Sequence, residues 1–259
     1  METIIARVID ELIPILGEGL RVSPILGGAV NLSFCVVQNE HPYFLKLFDS
    51  RGADLLDRPR LFLQQQTLAK KNLAPEPIYL SQKCDFQLDQ WTDNQSLQQS
   101  QLSNIQQCQR LARSLNKIHQ SDVTLPKLEL YKDWQQYLRK SNILLSTSQQ
   151  TELQTLLVYW QQECEQWSAL CHNDLSFSHV PIDESGVIFD WEYAALNSPY
   201  FDIASCCVIN FLNEGDKEIL IQEYTKIGGL DPQSVRTKVA NMIPLVNKTY
   251  ELWQLAFAQ

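Results

Sequence analysis

The 259 residues carry 21 Lys+Arg against 30 Asp+Glu, a net charge of -9, with 44% hydrophobic and 20% charged side chains. A chain of this length buries roughly three quarters of the surface its unfolded form exposes, as one globular unit or two lobes. Its acidity argues against a surface built to displace counterions from nucleic acid, and no apolar run approaches the ~18 residues that a bilayer span needs. Glu2, Arg7, Asp10 and Glu11 interrupt the opening segment where a signal peptide would be continuously apolar, so the expectation is a cytoplasmic protein with no membrane partner. The seven cysteines, at 35, 84, 108, 164, 171, 206 and 207, are odd in number and form no C-x-x-C pair. They read as reduced core residues rather than a disulfide frame or a zinc site.

In chain order, Ile4, Ile5, Val8, Ile9 and Leu12 mark an amphipathic opening helix. A meander follows, with strands expected at Arg21–Leu26, Ser33–Gln38 and Tyr43–Phe48. Gly27-Gly28 separates the first two, and Asn39-Glu40-His41-Pro42 the second from the third. Leu61–Lys71 suits a helix, ended by Asn72 and the Pro75-Glu76-Pro77 break, and two more strands are expected at Ile78–Ser81 and Asp85–Leu88. From Leu97 the pattern turns helical. Leu102, Ile105, Leu111, Leu115 and Ile118 line one long helix, and Trp134–Leu145 and Glu152–Trp167 predict two others. Ala169–Asp190 returns to short apolar runs around Asp183-Glu184-Ser185-Gly186, which predicts a hairpin, and the remainder from Ile203 is helical with a last turn at Gly228-Gly229 and Asp231-Pro232.

The stretch Leu170-Cys171-His172-Asn173-Asp174, followed by Phe189-Asp190-Trp191-Glu192-Tyr193-Ala194, carries the chemistry. Folded about Ser185-Gly186, the expected hairpin brings Asp174 and Asp190 together at one end. Convergent carboxylates call for a cation between them, and magnesium with a nucleotide is the usual one. Upstream, the missing side chains of Gly27-Gly28, before Asn31, would let backbone amides approach a phosphate, although the same pair also makes an ordinary hairpin turn. Lys46, in the apolar strand Phe44–Phe48, either snorkels from a strand edge or meets a buried anion such as a phosphate. Trp191 and Tyr193 suit a core or a pocket equally. Glu192 beside Asp190 suits a metal, a cationic substrate or solvent.

Glycine turn, strand lysine, H-x-D loop and a later Asp after an apolar strand, in that order, resemble the eukaryotic-type kinase fold in its small-molecule branch. The aminoglycoside phosphotransferase and choline kinase-like families are the nearest, and bacterial thiamine kinase within them. Leu73-Ala74-Pro75-Glu76-Pro77, Leu115-Asn116-Lys117-Ile118-His119 and Asp202-Ile203-Ala204 add to the resemblance, which runs from about Leu26 to Ala204. It implies an α+β, protein kinase-like two-lobe fold. Residues 1–90 would form a nucleotide-binding lobe of antiparallel sheet and helix, and 91–259 a mainly helical lobe carrying the acceptor site. It also implies an ATP- and magnesium-dependent small-molecule kinase acting on an alcohol, and nothing in the sequence points to a protein partner. Asp174 would accept the hydroxyl proton, Asp190 would bind magnesium, and Lys46 with Gly27, Gly28 and Asn31 would hold the phosphates. Asp89, Gln90 and Trp91 would receive adenine at the hinge, Trp191, Glu192 and Tyr193 would meet the substrate, and His172 and Asp202 would brace the loop.

The chain departs from the family pattern twice. The metal-binding Asn expected five residues after Asp174 is His179, and the helix that should pair an acid with Lys46 has none between Arg58 and Asn72. The first departure leads to the expectation that His179→Asn tightens magnesium or raises activity. Acidity together with Trp91, Trp134, Trp191, Tyr193 and Tyr200 suits a cationic alcohol, with thiamine the expected acceptor and choline, ethanolamine or an aminoglycoside as alternatives. A nucleotide-binding member that has lost turnover is the reading from another class.

Overall fold

The computed structural model describes residues 2–25, 30–93 and 95–258, in two compact units, residues 1–93 and 94–259. The first unit opens with α1 (Glu2–Leu16) and continues into five strands, β1 (Arg21–Ile25), β2 (Leu32–Gln38), β3 (His41–Leu47), β4 (Pro77–Leu80) and β5 (Phe86–Gln90). They form one antiparallel sheet in the order β1-β2-β3-β5-β4. Alternation sorts its faces: Phe34 and Val36, Leu45 and Leu47, and Phe86 and Leu88 meet Val8 and Leu12 of α1 in a buried cluster. The intervening residues, Lys46, Gln87 and Asp89 among them, point to the other face.

The turn between β2 and β3 is tighter than its sequence predicts. Asn39 and Glu40 alone make it, at φ 47° and 67°, and His41 already pairs with Gln38. Two successive positive-φ residues give the turn the twist that the flanking strands require. The following helix, α2 (Arg58–Ala69), begins before Leu61 because Asp57 caps it, accepting from the Arg60 amide at 3.2 Å, with Pro59 in its first turn.

The second unit contains α3 (Asn104–His119), α4 (Leu130–Ser141), α5 (Thr147–Gln166), β6 (Ala169–Cys171), β7 (Ala195–Asn197), α6 (Pro199–Ile209), α7 (Glu214–Gly228) and α8 (Pro232–Phe257). Capping boxes start α3 at Ser103/Gln106 and α5 at Ser146/Gln149. Gly229, at φ 65°, ends α7, and Asp231-Pro232 starts α8, as the turn chemistry predicts. Helix α3 packs on α7, and α8 on both α6 and α4. Together these elements make the α+β, protein kinase-like fold: an antiparallel sheet with helices, then a mainly helical part.

The expected hairpin is a correction. Val187–Asp190 is not a strand; β6 pairs instead with β7, Leu170 opposite Leu196. Ile188 is buried, which accounts for the apolar run, but the backbone around it bonds irregularly. The Phe189 amide donates to the His179 carbonyl at 2.9 Å, and side chains of His172 and Trp191 serve the carbonyls of Phe189 and Ile188.

All seven cysteines are free thiols, and 108, 171, 206 and 207 are buried. Among the described residues, no helix is long and apolar enough to cross a membrane.

Candidate active site

In the first unit, Lys46 is half-buried on β3, opposite Ser33 of β2 and Gln87 of β5. Gln87 and Asp89 are both buried on the same face. The Gln87 amide nitrogen donates to Asp89 Oδ1 at 2.7 Å and to Gln65 Oε1 at 2.8 Å. Gln65 of α2 therefore reaches this face of the sheet, and it is neutral. Asn31, expected at a phosphate, accepts the Asp49 amide at 3.0 Å. The Gln90 N–H donates to the Glu76 carbonyl at 2.8 Å, so it is sheet-bound and does not offer its amide to a base. Trp91 donates to Asp93 at 2.8 Å. Gly27 and Gly28 lie outside the described residues.

In the second unit the His172–Asp174 loop leaves β6 and is fastened along one side of α6. Asp202, fully buried, accepts the amides of His172 at 2.8 Å and Asn173 at 2.7 Å, and His119 Nε2 lies 3.0 Å from it. Ser205 Oγ donates to the Asn173 carbonyl at 2.7 Å. Asn210 takes the Phe177 amide at 2.7 Å and donates to the Leu175 carbonyl at 3.0 Å. Side chains of α6 and its C-cap Asn210 thus make five hydrogen bonds to the backbone of residues 172–177. The Asn173 side chain adds bonds to the Tyr193 carbonyl and to Asn197, both at 2.8 Å, and its backbone sits at φ 65°, the left-handed region that Asn tolerates.

Asp174, Asp190 and His179 belong to one hydrogen-bonded loop. His179 Nδ1 lies 2.8 Å from the Asp174 carbonyl, while Nε2 faces Asp190 Oδ2 at 3.6 Å. Asp190 itself is at φ 63°, the kind of unfavourable backbone that persists when the surroundings fix it. His172 is buried between these parts, its Nε2 donating to the Phe189 carbonyl at 2.8 Å and its ring stacked on His179 with centroids 5.7 Å apart. Burial, then the neighbouring His179, pushes its pKa down to about 4, so it is a neutral brace. Burial alone would raise the Asp202 carboxyl, but the bond from His119 and the surrounding imidazoles and amides outweigh it and leave the group below the ordinary carboxylate value.

The aromatics divide. Trp191, expected at the substrate, is 5% exposed, donates to the Ile188 carbonyl and packs on His172, so it is core. Trp134 and Tyr200 are buried as well. Tyr193 does stand in an aromatic group, but its partners come from α8. Trp253 Nε1 donates to the Tyr193 hydroxyl at 2.8 Å, with Tyr250 stacked on Trp253 and Phe257 tilted against it. Burial first pushes up the hydroxyls of Tyr193 and Tyr137; Glu192 comes next at Tyr193, with Asp174 contributing, while at Tyr137 Asp133 comes before Glu192. Glu192, Tyr193, Tyr137 and Asp174 therefore share one electrostatic neighbourhood, negative and lined with rings. Sequence reasoning missed Ser205, Asn210, Tyr137, Tyr250 and Trp253. Polar residues at 202, 205 and 210 in an otherwise apolar helix were the available signal for the first two. His119, the last residue of α3, spans Asp202 and the Tyr224 hydroxyl, the latter at 2.8 Å.

The model of the phosphotransferase enzyme family matches residues 21–236. Protein LicA of Haemophilus influenzae is 24% identical over 209 residues, 77% of this chain and 61% of that protein, so the chain spans about three fifths of that relative's length. Among solved structures, choline kinase LicA from Streptococcus pneumoniae is similar with a TM-score of 0.73 at 17% identity, covering 98% of this chain and 90% of that one. A choline/ethanolamine kinase family protein from Mesorhizobium loti gives 0.70 at 20% identity, covering 98% and 86%.

Proposed function

Because the chain belongs to the phosphotransferase enzyme family, we propose that it transfers the γ-phosphoryl group of ATP to the hydroxyl of a small cationic alcohol. The observation that carries this reading is the Asp174 loop, pinned by buried Asp202 and bordered by the acidic, aromatic group of Glu192, Tyr193, Tyr137 and Trp253. A quaternary or primary ammonium is attracted to ring faces and carboxylates together, and an alcohol tethered to such a head presents its oxygen to a nearby base. Choline or ethanolamine fits this chemistry and is what the similar structures are named for. Thiamine fits the same chemistry, but the similar structures reported above are named for choline and ethanolamine.

In this reading Asp174 accepts the hydroxyl proton as the alcohol oxygen forms its bond to the γ-phosphorus and the bond to the β,γ-bridging oxygen breaks, releasing ADP. Lys46 pairs with phosphate oxygens. Asp190 and His179 offer a carboxylate oxygen and an imidazole nitrogen facing one another, a donor set that fits a divalent cation. Such a cation, when bound, neutralises phosphate charge. Adenine takes its backbone contacts beyond Gln90, whose amide already serves Glu76. Labelled ATP with choline, ethanolamine, thiamine and an aminoglycoside tests the proposal, with Asp174→Asn as control. Transfer to choline or ethanolamine that the variant loses is the expected result; transfer to none of the four overturns it.

A second reading is favoured by His179 and by the neutral Gln65: a chain that binds nucleotide without turning it over. Thermal stabilisation by ATP with no transfer to any alcohol would establish it.

A further inference from the structure

We infer that Asn197 is a positioning residue for the transfer: through the side chain of Asn173 it holds the segment bearing Asp174 and the segment bearing Tyr193 at one fixed separation. This rests on the phosphotransferase reading and adds to it a residue outside the motif. Asn197 closes β7 and is fully buried. Its Oδ1 accepts the Trp160 indole N–H of α5 and the Ser198 amide, both at 2.7 Å, and its Nδ2 donates to Asn173 Oδ1 at 2.8 Å. Asn173 Nδ2 in turn donates to the Tyr193 carbonyl at 2.8 Å.

The direction of this chain of amides is fixed at both ends. An indole N–H and a backbone N–H only donate, so the Asn197 atom facing them is its oxygen. A backbone carbonyl only accepts, so the Asn173 atom facing Tyr193 is its nitrogen. Neither side chain can turn over without setting donor against donor or acceptor against acceptor in a buried place, which costs the desolvation of both groups. Asn197 is also held by its backbone, paired with Ala169 of β6, and Cys171 Sγ lies 3.4 Å from its carbonyl. The proton acceptor is thus tied to this amide through the backbone of Asn173, the residue before it, and the Tyr193 ring, bonded to Trp253, through its own carbonyl. The bonds of Asp202 and Ser205 go to the loop backbone and survive loss of Asn197. What is lost is the spacing between base and acceptor segment, and a misplacement of about 1 Å is enough to cost ~100-fold in rate.

Steady-state kinetics of Asn197→Ala, Asn173→Gly and the double variant test this, on whichever of choline, ethanolamine, thiamine and an aminoglycoside the wild type phosphorylates. Glycine at 173 removes the side chain without straining a backbone at φ 65°. Each single variant is expected to lose about 30-fold in kcat/KM for the alcohol, with the KM for ATP unchanged within about a factor of two. The double variant is expected to match the less active single within about twofold, because both substitutions break one bond. Losses that multiply, a KM for ATP that rises in step, or undiminished turnover in Asn197→Ala each overturn the inference. Should circular dichroism show Asn197→Ala unfolded, Trp160→Phe withdraws the first donor of the chain and is expected to lower kcat/KM several-fold; unchanged turnover there overturns the inference equally. A wild type that phosphorylates none of the four overturns the proposed function. The spacing is then read by nuclear magnetic resonance of the 15N-labelled chain: the Asn173 side-chain amide protons are expected to exchange with solvent faster in the folded variant, at 197 or at 160, than in the wild type, and equal rates overturn the inference.

Discussion

His119, the last residue of α3, and Asp202, in the first turn of α6, are 83 positions apart and meet at 3.0 Å with both side chains excluded from solvent. Through that contact α3, which also packs on β6, fixes the carboxylate that receives the amides of His172 and Asn173. Asp202→Asn keeps the shape but replaces a charged acceptor with a group half of which donates, against two N–H groups that need acceptors. Loss of these buried charge-assisted bonds is expected to cost about 3 kcal/mol in urea unfolding and at least ~100-fold in turnover. Unchanged stability in this variant would remove Asp202 from the account of the loop.

Stability should depend on pH through His172. Its pKa is about 4 folded against an ordinary 6.5, so between those values the unfolded chain binds the extra proton and folding is opposed. The contribution is fully present above pH 6.5 and is lost as pH falls toward 4, by about 3 kcal/mol in total. Asp202, held below the ordinary carboxylate value, adds a second loss at still lower pH. Denaturant titrations at several pH values should show the slope, and His172→Gln should flatten its upper part; an equal slope in that variant assigns it elsewhere.

In the proposed reading Asp174→Asn removes the proton acceptor, while the loop stays held by its backbone and by Asn173. The expected loss in kcat is roughly 10²- to 10⁴-fold, with nucleotide affinity unchanged within about a factor of two. A rise in KM for ATP with kcat intact would place Asp174 at the nucleotide instead.

Trp253→Leu withdraws a ring face and the donor to the Tyr193 hydroxyl. For a quaternary ammonium acceptor the expected result is a rise of about tenfold in its KM, with the KM for ATP unmoved. Trp191→Phe, a core change, should instead lower the melting temperature and leave the ratio of the two KM values alone.

What local pattern controls was readable. Alternation in Phe34/Val36 and Leu45/Leu47 predicts their strands, and the Gly229 and Asp231-Pro232 signals predict the α7–α8 break. The cap at Asp57 and Pro59 in the first turn, both local signals, set the true start of α2 ahead of its first apolar residue, Leu61. The strand expected at Val187–Asp190 fails for a different reason. A buried apolar run has the same periodicity whether its backbone joins a ladder or is served by side chains such as His172 and Trp191. The actual partner of β6 is three residues long, too short to announce itself. Chemistry-bearing residues close to the motif, Asp174, His179 and Asp190, could be named from spacing. Asn210, Tyr137 and Trp253 come to the loop only through the packing of α4, α6 and α8, which no local window contains.

The fastening of the loop to α6 has an evolutionary corollary. Because Asp202, Ser205 and Asn210 hold the reacting segment through one buried helix, a substitution there unseats chemistry and fold in the same stroke, and selection can rarely improve one without forfeiting the other. Tyr250 and Trp253 on α8 carry no such double duty. Under the proposed function, a lineage drifting toward a new acceptor is free to vary along the C-terminal helix while the 199–210 segment stays frozen, and directed evolution should recover its specificity changes there.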